Sequence, residues 1–98
     1  MNIVKKQNGK SLELALEGRL DTITAPGLEA ELHRCLGDAD SLTLDFAKLA
    51  YISSAGLRVL LSAHKRMSAK GGMKITHVSE LIQEVFDVTG FADILTVE

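Results

Sequence analysis

Leucines at alternating positions predict a β-strand close to the start of the chain. Residues 12, 14 and 16 are leucine, whereas glutamate lies at 13 and 17, and this period of two is typical of a strand with one buried face. Asn8-Gly9 precedes the run, and an Asn-Gly pair accepts the positive φ angles of a type I′ hairpin turn. We therefore predict that residues 1–7 form a first strand that is joined to the second at Asn8-Gly9.

A helical spacing of leucines begins after Gly18-Arg19-Leu20-Asp21, where the chain leaves the second strand. The apolar stripe consists of Leu28, Leu32 and Leu36. Thr24 is a candidate N-cap, and Pro26 falls in the first turn, where its missing N–H does no harm. The pattern predicts a first helix that ends at Gly37-Asp38.

Strand and helix patterns alternate through the rest of the chain. A third strand is predicted by Leu42, Leu44 and Phe46 and ends near Tyr51-Ile52. The second helix has an apolar stripe formed by Leu57, Leu60, Leu61, His64 and Met67, and it stops at Gly71-Gly72. After a strand over residues 73–78, Ser79 caps a third helix whose predicted inner face is Leu81, Ile82, Val85 and Phe86. This helix ends at Thr89-Gly90, and residues 94–97 are predicted to form a last short strand.

The predicted element order is β-β-α-β-α-β-α-β. Strands that alternate with helices imply right-handed crossovers and parallel neighbours. The predicted fold class is therefore α/β: a mixed sheet with an N-terminal hairpin, mostly parallel strands after it, and helices packed against it. Because 98 residues with 46% apolar composition can bury one core, we expect a single domain over residues 1–98.

Charge and hydropathy limit the classes of partner. The formal net charge is -2, and the 13 acidic and 11 basic side chains are scattered without a Lys/Arg block that would follow a phosphate backbone. We therefore expect no nucleic-acid partner. No segment approaches the roughly 18 consecutive apolar residues of a membrane span, so we expect a cytoplasmic protein without direct membrane insertion.

Side chains capable of catalysis or metal binding lack the spacing that such sites require. The three histidines are His33, His64 and His77. They fall on different predicted elements, and Cys35 lies within a predicted helix as a small apolar residue, so we expect no metal site. A hydrolase triad of Ser54, His64 and Asp45 lacks the Gly-x-Ser-x-Gly turn that presents the nucleophile. The pattern predicts no catalytic residue and no bound cofactor.

Two neighbouring serines mark the junction between the third strand and the second helix, in Tyr51-Ile52-Ser53-Ser54-Ala55-Gly56-Leu57. One interpretation is structural: a serine hydroxyl caps the helix and Gly56 permits close packing. In the other, one hydroxyl caps while its neighbour points outward to be modified or bound. A phosphate there would add about -1.5 to -2 charges beside the positive end of the helix and transform the surface for any partner. The residues alone leave both interpretations open.

At these residues the sequence resembles the STAS domain family, especially bacterial anti-sigma factor antagonists, over essentially the whole chain. Gly18-Arg19-Leu20-Asp21 is similar to the family's Gly-x-Leu-Asp, and Leu44-Asp45-Phe46 to its third strand. Residues 51–61 resemble its motif of Asp-Ser-Ser/Thr-Gly-Leu followed by an apolar helix, which places Ser54 on the serine that partner kinases phosphorylate. The chain departs from the motif at Ser53, where the family usually has an acidic residue, and at Ala55, the second hydroxyl position. Ser53 is therefore a second candidate for phosphorylation.

The resemblance implies a binding protein and not an enzyme. The unmodified chain would bind an anti-sigma factor that is also a serine/threonine kinase, thereby freeing a sigma factor, and a cognate phosphatase would reverse the phosphorylation. ATP and magnesium would belong to the kinase. The expected contact surface consists of Asp21, Thr22, Ser53, Ser54, Ala55, Gly56, Leu57 and Arg58. Asp21 and Thr22 join it because the ends of parallel strands share one sheet edge, and Arg58 because it is four residues beyond Ser54 and can meet a phosphate.

Two alternative functions stay open at this point. One is a non-catalytic STAS subunit that docks permanently on a larger assembly, such as the cytoplasmic side of a lipid-transport ABC complex, and needs no phosphorylation. The other is a sensor of a nucleotide or another small ligand. Neither Gly71-Gly72 nor Ser54-Ala55-Gly56 matches a phosphate-binding motif.

Overall fold

The computed structural model describes residues 1–98, which form a four-stranded sheet and three α-helices. The strands are β1 (Asn2–Asn8), β2 (Ser11–Leu20), β3 (Ser41–Ile52) and β4 (Met73–Thr76). The helices are α1 (Ala25–Cys35), α2 (Ser54–Ser68) and α3 (Glu80–Thr89), and a short 3₁₀ turn follows at Phe91–Asp93. None of the helices is both long and apolar enough to span a membrane.

The sheet order is β1-β2-β3-β4, with β1 antiparallel to β2 and the other neighbours parallel. This arrangement confirms the predicted mixed α/β sheet with an N-terminal hairpin. Since β2, β3 and β4 run in the same direction, their carboxyl ends lie at one edge of the sheet. The segments that follow β2, β3 and β4 all begin at this edge.

The hairpin turn lies one residue later than predicted. Asn8 still pairs with Ser11, so the two turn residues are Gly9 and Lys10. Of these two turn residues only Gly9, the first, has a positive φ, of 63°. A type II′ turn has a positive φ at its first central residue alone, whereas the predicted type I′ turn has one at both. Glycine takes this position without strain because it has no Cβ.

Only one face of the sheet is covered by helices. Buried positions alternate along the first part of β2 and of β3, at Leu12, Leu14, Leu16, Leu42, Leu44 and Phe46. The residues between them, such as Glu13 and Thr43, remain partly exposed on the opposite face. The apolar face belongs to a hydrophobic cluster of 24 buried residues that also includes Leu28 of α1, Leu60 of α2 and Phe86 of α3. Burial of this cluster is the main force that holds the helices on the sheet.

Two expectations for the C-terminal region are corrected. The predicted last strand is reduced to one bridge between Val97 and Ile75, because the chain turns through a 3₁₀ helix just before it. The inner face of α3 is formed by Ile82 and Phe86, whereas Leu81 is 56% exposed. The predicted caps of α3 are confirmed: the Ser79 hydroxyl accepts a hydrogen bond from Ile82 N at 3.3 Å, and Gly90 ends α3 with a φ of 81°.

Candidate functional site

Ser53 is the N-cap of α2 and connects this helix to the sheet. Its Oγ accepts a hydrogen bond from Gly56 N at 3.5 Å, and its carbonyl accepts one from Leu57 N at 3.0 Å. Its own N–H donates to Leu20 O at 2.9 Å, which ties the start of α2 to the end of β2. The 3.5 Å distance is long for a hydrogen bond, so we assign the side-chain cap a value at the low end of the usual range of about 0.5–2 kcal/mol.

Gly56 and Leu57 support the site from beneath. A Cβ on Gly56 would lie 2.7 Å from Leu20 Cγ and 2.9 Å from Ile52 Cγ1, so only glycine lets α2 approach the sheet this closely. Leu57 is 5% exposed and belongs to the core. These two members of the expected contact surface are therefore buried, and they hold the surface in place without forming it.

Ser54 is the first residue of α2, and its side chain is exposed. Its hydroxyl makes no hydrogen bond within the protein, in contrast to that of Ser53. The first-turn N–H groups have no partner within the helix, and no acidic side chain occupies this turn. Arg58 is exposed four residues further along, on the same side of the helix. The Ser54 hydroxyl thus lies in the positive field at the N-terminus of α2.

Asp21 stabilises the loop that lies beside this site. Its Oδ1 accepts hydrogen bonds from Ile23 N at 3.0 Å and Thr24 N at 3.1 Å. Thr24 precedes α1 as predicted, but its side chain does not cap the helix: the hydroxyl donates to Arg19 O at 2.8 Å and accepts from Asp21 N at 2.9 Å. We expected the Asp21 carboxylate to contact a partner, but in the structure its Oδ1 is hydrogen-bonded to the backbone of its own loop.

These contacts alter the ionisation of Asp21. The hydrogen bond from the Thr24 backbone is the main cause that lowers the pKa of this carboxyl below its usual value, and the Ile23 backbone and Arg19 act in the same direction. Because the pKa of this carboxyl is lower in the folded than in the unfolded state, its ionised form stabilises the fold at pH values above the unfolded-state pKa. This contribution is lost only as the pH falls through the folded value, which is well below neutrality.

A family model for the STAS domain matches residues 2–98. The chain belongs to the STAS domain family. The anti-sigma-B factor antagonist of Bacillus subtilis (strain 168) is 29% identical over 98 residues, which cover 99% of this chain and 90% of that protein. The anti-sigma-B factor antagonist of Staphylococcus epidermidis is 31% identical over 100 residues, and the aligned region covers 99% of this chain and 92% of that protein.

Solved structures have the same fold at lower sequence identity. An anti-sigma factor antagonist from Mycobacterium paratuberculosis superimposes with a TM-score of 0.88 at 18% identity, covering 98% of this chain and 83% of that one. The Bacillus cell fate determinant SpoIIAA in its phosphorylated form has a TM-score of 0.76 at 17% identity, covering 99% of this chain and 91% of its own. The relatives of this STAS domain described above, and the Mycobacterium paratuberculosis neighbour, are named as anti-sigma factor antagonists.

Three of the predicted contact residues line one shallow groove between α1 and α2. Thr22, Ala55 and Arg58 line this groove, which has a volume of about 300 Å³. Thr22 comes from the loop after β2, whereas the other two belong to the first turns of α2. The fold therefore confirms that the two segments lie side by side, as the parallel strands predicted.

Sequence reasoning missed two features of this region. Ile23 is 88% exposed in the loop after β2, and the signal for it was an apolar residue between two threonines, outside any periodic pattern. The Arg19 guanidinium lies 4.2 Å from the centre of the Tyr51 ring and 3.6 Å from Asp21 Oδ2. This cation–π contact joins the ends of β2 and β3, and no local pattern indicates it.

The histidines lie in separate places in the STAS domain. His33 Nδ1 is 3.4 Å from Arg66 Nη1, and His77 Nδ1 is 3.0 Å from Asp45 Oδ1. His64, the histidine considered for a triad, is not the one that meets Asp45. No three His, Cys, Asp or Glu side chains converge on a point where they could hold a metal ion. Cys35 is partly buried, and its thiol donates to Glu31 Oε1 at 3.3 Å.

Proposed function

We propose that this STAS domain is a cytoplasmic anti-sigma factor antagonist that is switched by phosphorylation of Ser54. In its unmodified form it binds an anti-sigma factor that is also a serine/threonine kinase, and this binding releases a sigma factor. The kinase transfers the γ-phosphoryl group of ATP to the Ser54 hydroxyl, and a cognate phosphatase removes it. The chain itself supplies a surface and an acceptor hydroxyl, and it has no catalytic role.

The observation that carries the proposal is that one of two adjacent hydroxyls is hydrogen-bonded and the other is free. Ser53 Oγ is occupied by Gly56 N in the cap, while the Ser54 hydroxyl is exposed and unbonded at the first position of α2. A free hydroxyl can enter the active site of a docked kinase without breaking a native hydrogen bond. The relatives named as anti-sigma factor antagonists support the proposed class of function, and SpoIIAA, which shares the fold, has been solved in a phosphorylated form.

The effect of a phosphate follows from its position. It would bring about -1.5 to -2 charges to the helix end, where the N–H groups of the first turn and the Arg58 guanidinium can compensate part of the charge. We therefore expect little change in the fold. The remaining charge would lie on the proposed contact surface beside Ala55, and it would oppose any partner that binds the neutral hydroxyl.

Mutations of Ser53 separate capping from phosphorylation. We expect phosphate on Ser54 alone in the parent protein, because the Ser53 hydroxyl already accepts from Gly56 N. Ser53→Ala should lose about 0.5–1 kcal/mol of unfolding free energy, the lower part of the range for an N-cap, and it should still be phosphorylated at Ser54. Ser53→Asp retains a capping side chain and should be as stable as the parent. Fragment-ion mapping after incubation with the kinase and ATP reads out the modified residue, and phosphate on Ser53 in the parent would contradict the assignment.

Affinity capture from the native cell tests the proposed function as a whole. The tagged chain should recover a protein with an ATP-binding kinase domain, and the same eluate should contain the chain phosphorylated at Ser54. Ser54→Ala should recover the kinase without becoming modified. Recovery of ABC-transporter subunits, with Ser54 unmodified, would instead establish the alternative of a permanent STAS subunit.

A further inference from the structure

Helix α3 has a wider apolar face than the core covers. Ile82 and Phe86 are fully buried, whereas Leu81 is 56% and Val88 is 78% exposed. Leu81 and Val88 are seven residues apart and therefore lie on one side of the helix, about 10 Å from each other. Val85, between them on the same stripe, packs partly against the core. A lone exposed apolar residue is ordinary on a protein surface, but these two continue a stripe that begins in the core.

The charge beside this stripe has a single sign. Residues 78–98 contain five of the 13 acidic residues and none of the 11 Lys and Arg residues. Three of the acids are on α3, at Glu80, Glu84 and Asp87, and none of them has an ion-pair partner in the protein. Glu84 is three residues after Leu81 and four before Val88, so it adjoins both apolar side chains.

We propose that α3 carries a second docking surface, formed by Leu81, Glu84 and Val88, for a protein segment whose apolar side chains are flanked by lysine or arginine. The apolar part of such a segment covers Leu81 and Val88, while its cations meet Glu84 and the neighbouring Glu80 and Asp87. This surface is distinct from the one at Ser54. It does not depend on phosphorylation.

The same charges argue against other occupants. A symmetric pair of α3 helices would place the Glu84 carboxylates of both copies against each other, and like charges at an interface are unfavourable. Anionic lipid headgroups and nucleic-acid phosphates are repelled for the same reason. A basic protein segment satisfies both the apolar stripe and its acidic border.

The surface also has a defined place in the fold. α3 starts after the carboxyl end of β4, and α2 starts after the carboxyl end of its parallel neighbour β3. Both helices therefore begin at the same edge of the sheet. The Leu81 end of the stripe is near this edge, and Val88 lies further along the helix, away from it.

Titration of the labelled full chain with a synthetic peptide tests the proposal. The probe is a helical peptide of about 16 residues with leucines on one face and lysines beside them, and the control peptide has glutamate in place of every lysine. Amide shifts followed by NMR should map to residues 80–89 with the lysine peptide only. Raising the salt from about 50 to about 300 mM should weaken binding severalfold, because the contacts are solvent-exposed ion pairs.

Variants on α3 and a matched control complete the test. The double variant Leu81→Ser/Val88→Ser should bind the lysine peptide at least ~10-fold more weakly, and Glu84→Lys should have an effect of the same size. Ile23→Ser removes a still more exposed apolar side chain, outside α3, and should leave the affinity within about twofold. Circular dichroism and unfolding midpoints check that each variant is folded. Equal binding of the glutamate peptide, shifts centred on the open sheet face, or parental affinity in the double variant would each overturn the proposal.

Discussion

Ser54→Asp is expected to weaken binding of this STAS domain to the proposed kinase partner at least ~10-fold, or about 1.4 kcal/mol. The exposed hydroxyl at the start of α2 makes no hydrogen bond in the protein, so the substitution changes the charge of the surface and little else. A carboxylate at this position is favourable for the helix itself, because it lies at the positive end. Binding should therefore fall while the unfolding free energy stays the same or rises.

Two further variants distinguish a local charge effect from a general one. Ser54→Ala should bind the kinase like the parent but accept no phosphate. Ser68→Asp places the same charge on an exposed serine at the opposite end of α2 and should leave the affinity within about twofold. Calorimetry with the purified kinase measures all three. If Ser54→Asp and Ser54→Ala both bind like the parent, Ser54 is not the switch.

Leu60→Ala is expected to have the largest effect on stability, a loss of about 2–5 kcal/mol of unfolding free energy. The side chain is 0% exposed in α2 and belongs to the cluster that joins the helices to the sheet. Its truncation removes apolar burial and leaves a cavity that well-packed neighbours fill only in part. Leu57→Ala, at 5% exposed, should fall within the same range.

Chemical denaturation of three variants compares the core with the loop. Leu61→Ala is the matched control, because Leu61 is adjacent to Leu60 on α2 but only partly buried, and it should lose less stability. Asp21→Ala breaks the hydrogen bonds to Ile23 N and Thr24 N and should also destabilise less than Leu60→Ala. If Asp21→Ala proves the most destabilising of the three, the loop after β2 is more important to the fold than the packing of α2.

Much of this STAS domain was determined by patterns within short stretches of sequence. Alternating leucines predicted β2 and β3, and the stripes of α1 and α2 predicted the helices that cover them. Ser79 was recognisable as a cap, and the Ser53-Ser54 pair as a pair that contains one, because a cap acts on N–H groups only three residues away. The location of Ser54 at the start of α2 follows from the same local signals.

Tertiary structure decided what could not be determined within a short stretch. The Ser53 N–H donates to Leu20 O of β2, so a contact between segments distant in sequence fixes where α2 leaves the sheet. Arg19 contacts the Tyr51 ring because β2 and β3, which are distant in sequence, pair in the sheet. Whether an apolar side chain of α3 is inside or outside depends on how the helix is rotated against the sheet, and this rotation buries Ile82 while it exposes Leu81. Periodicity identifies an apolar stripe, but only the packing of distant elements determines how much of that stripe is covered.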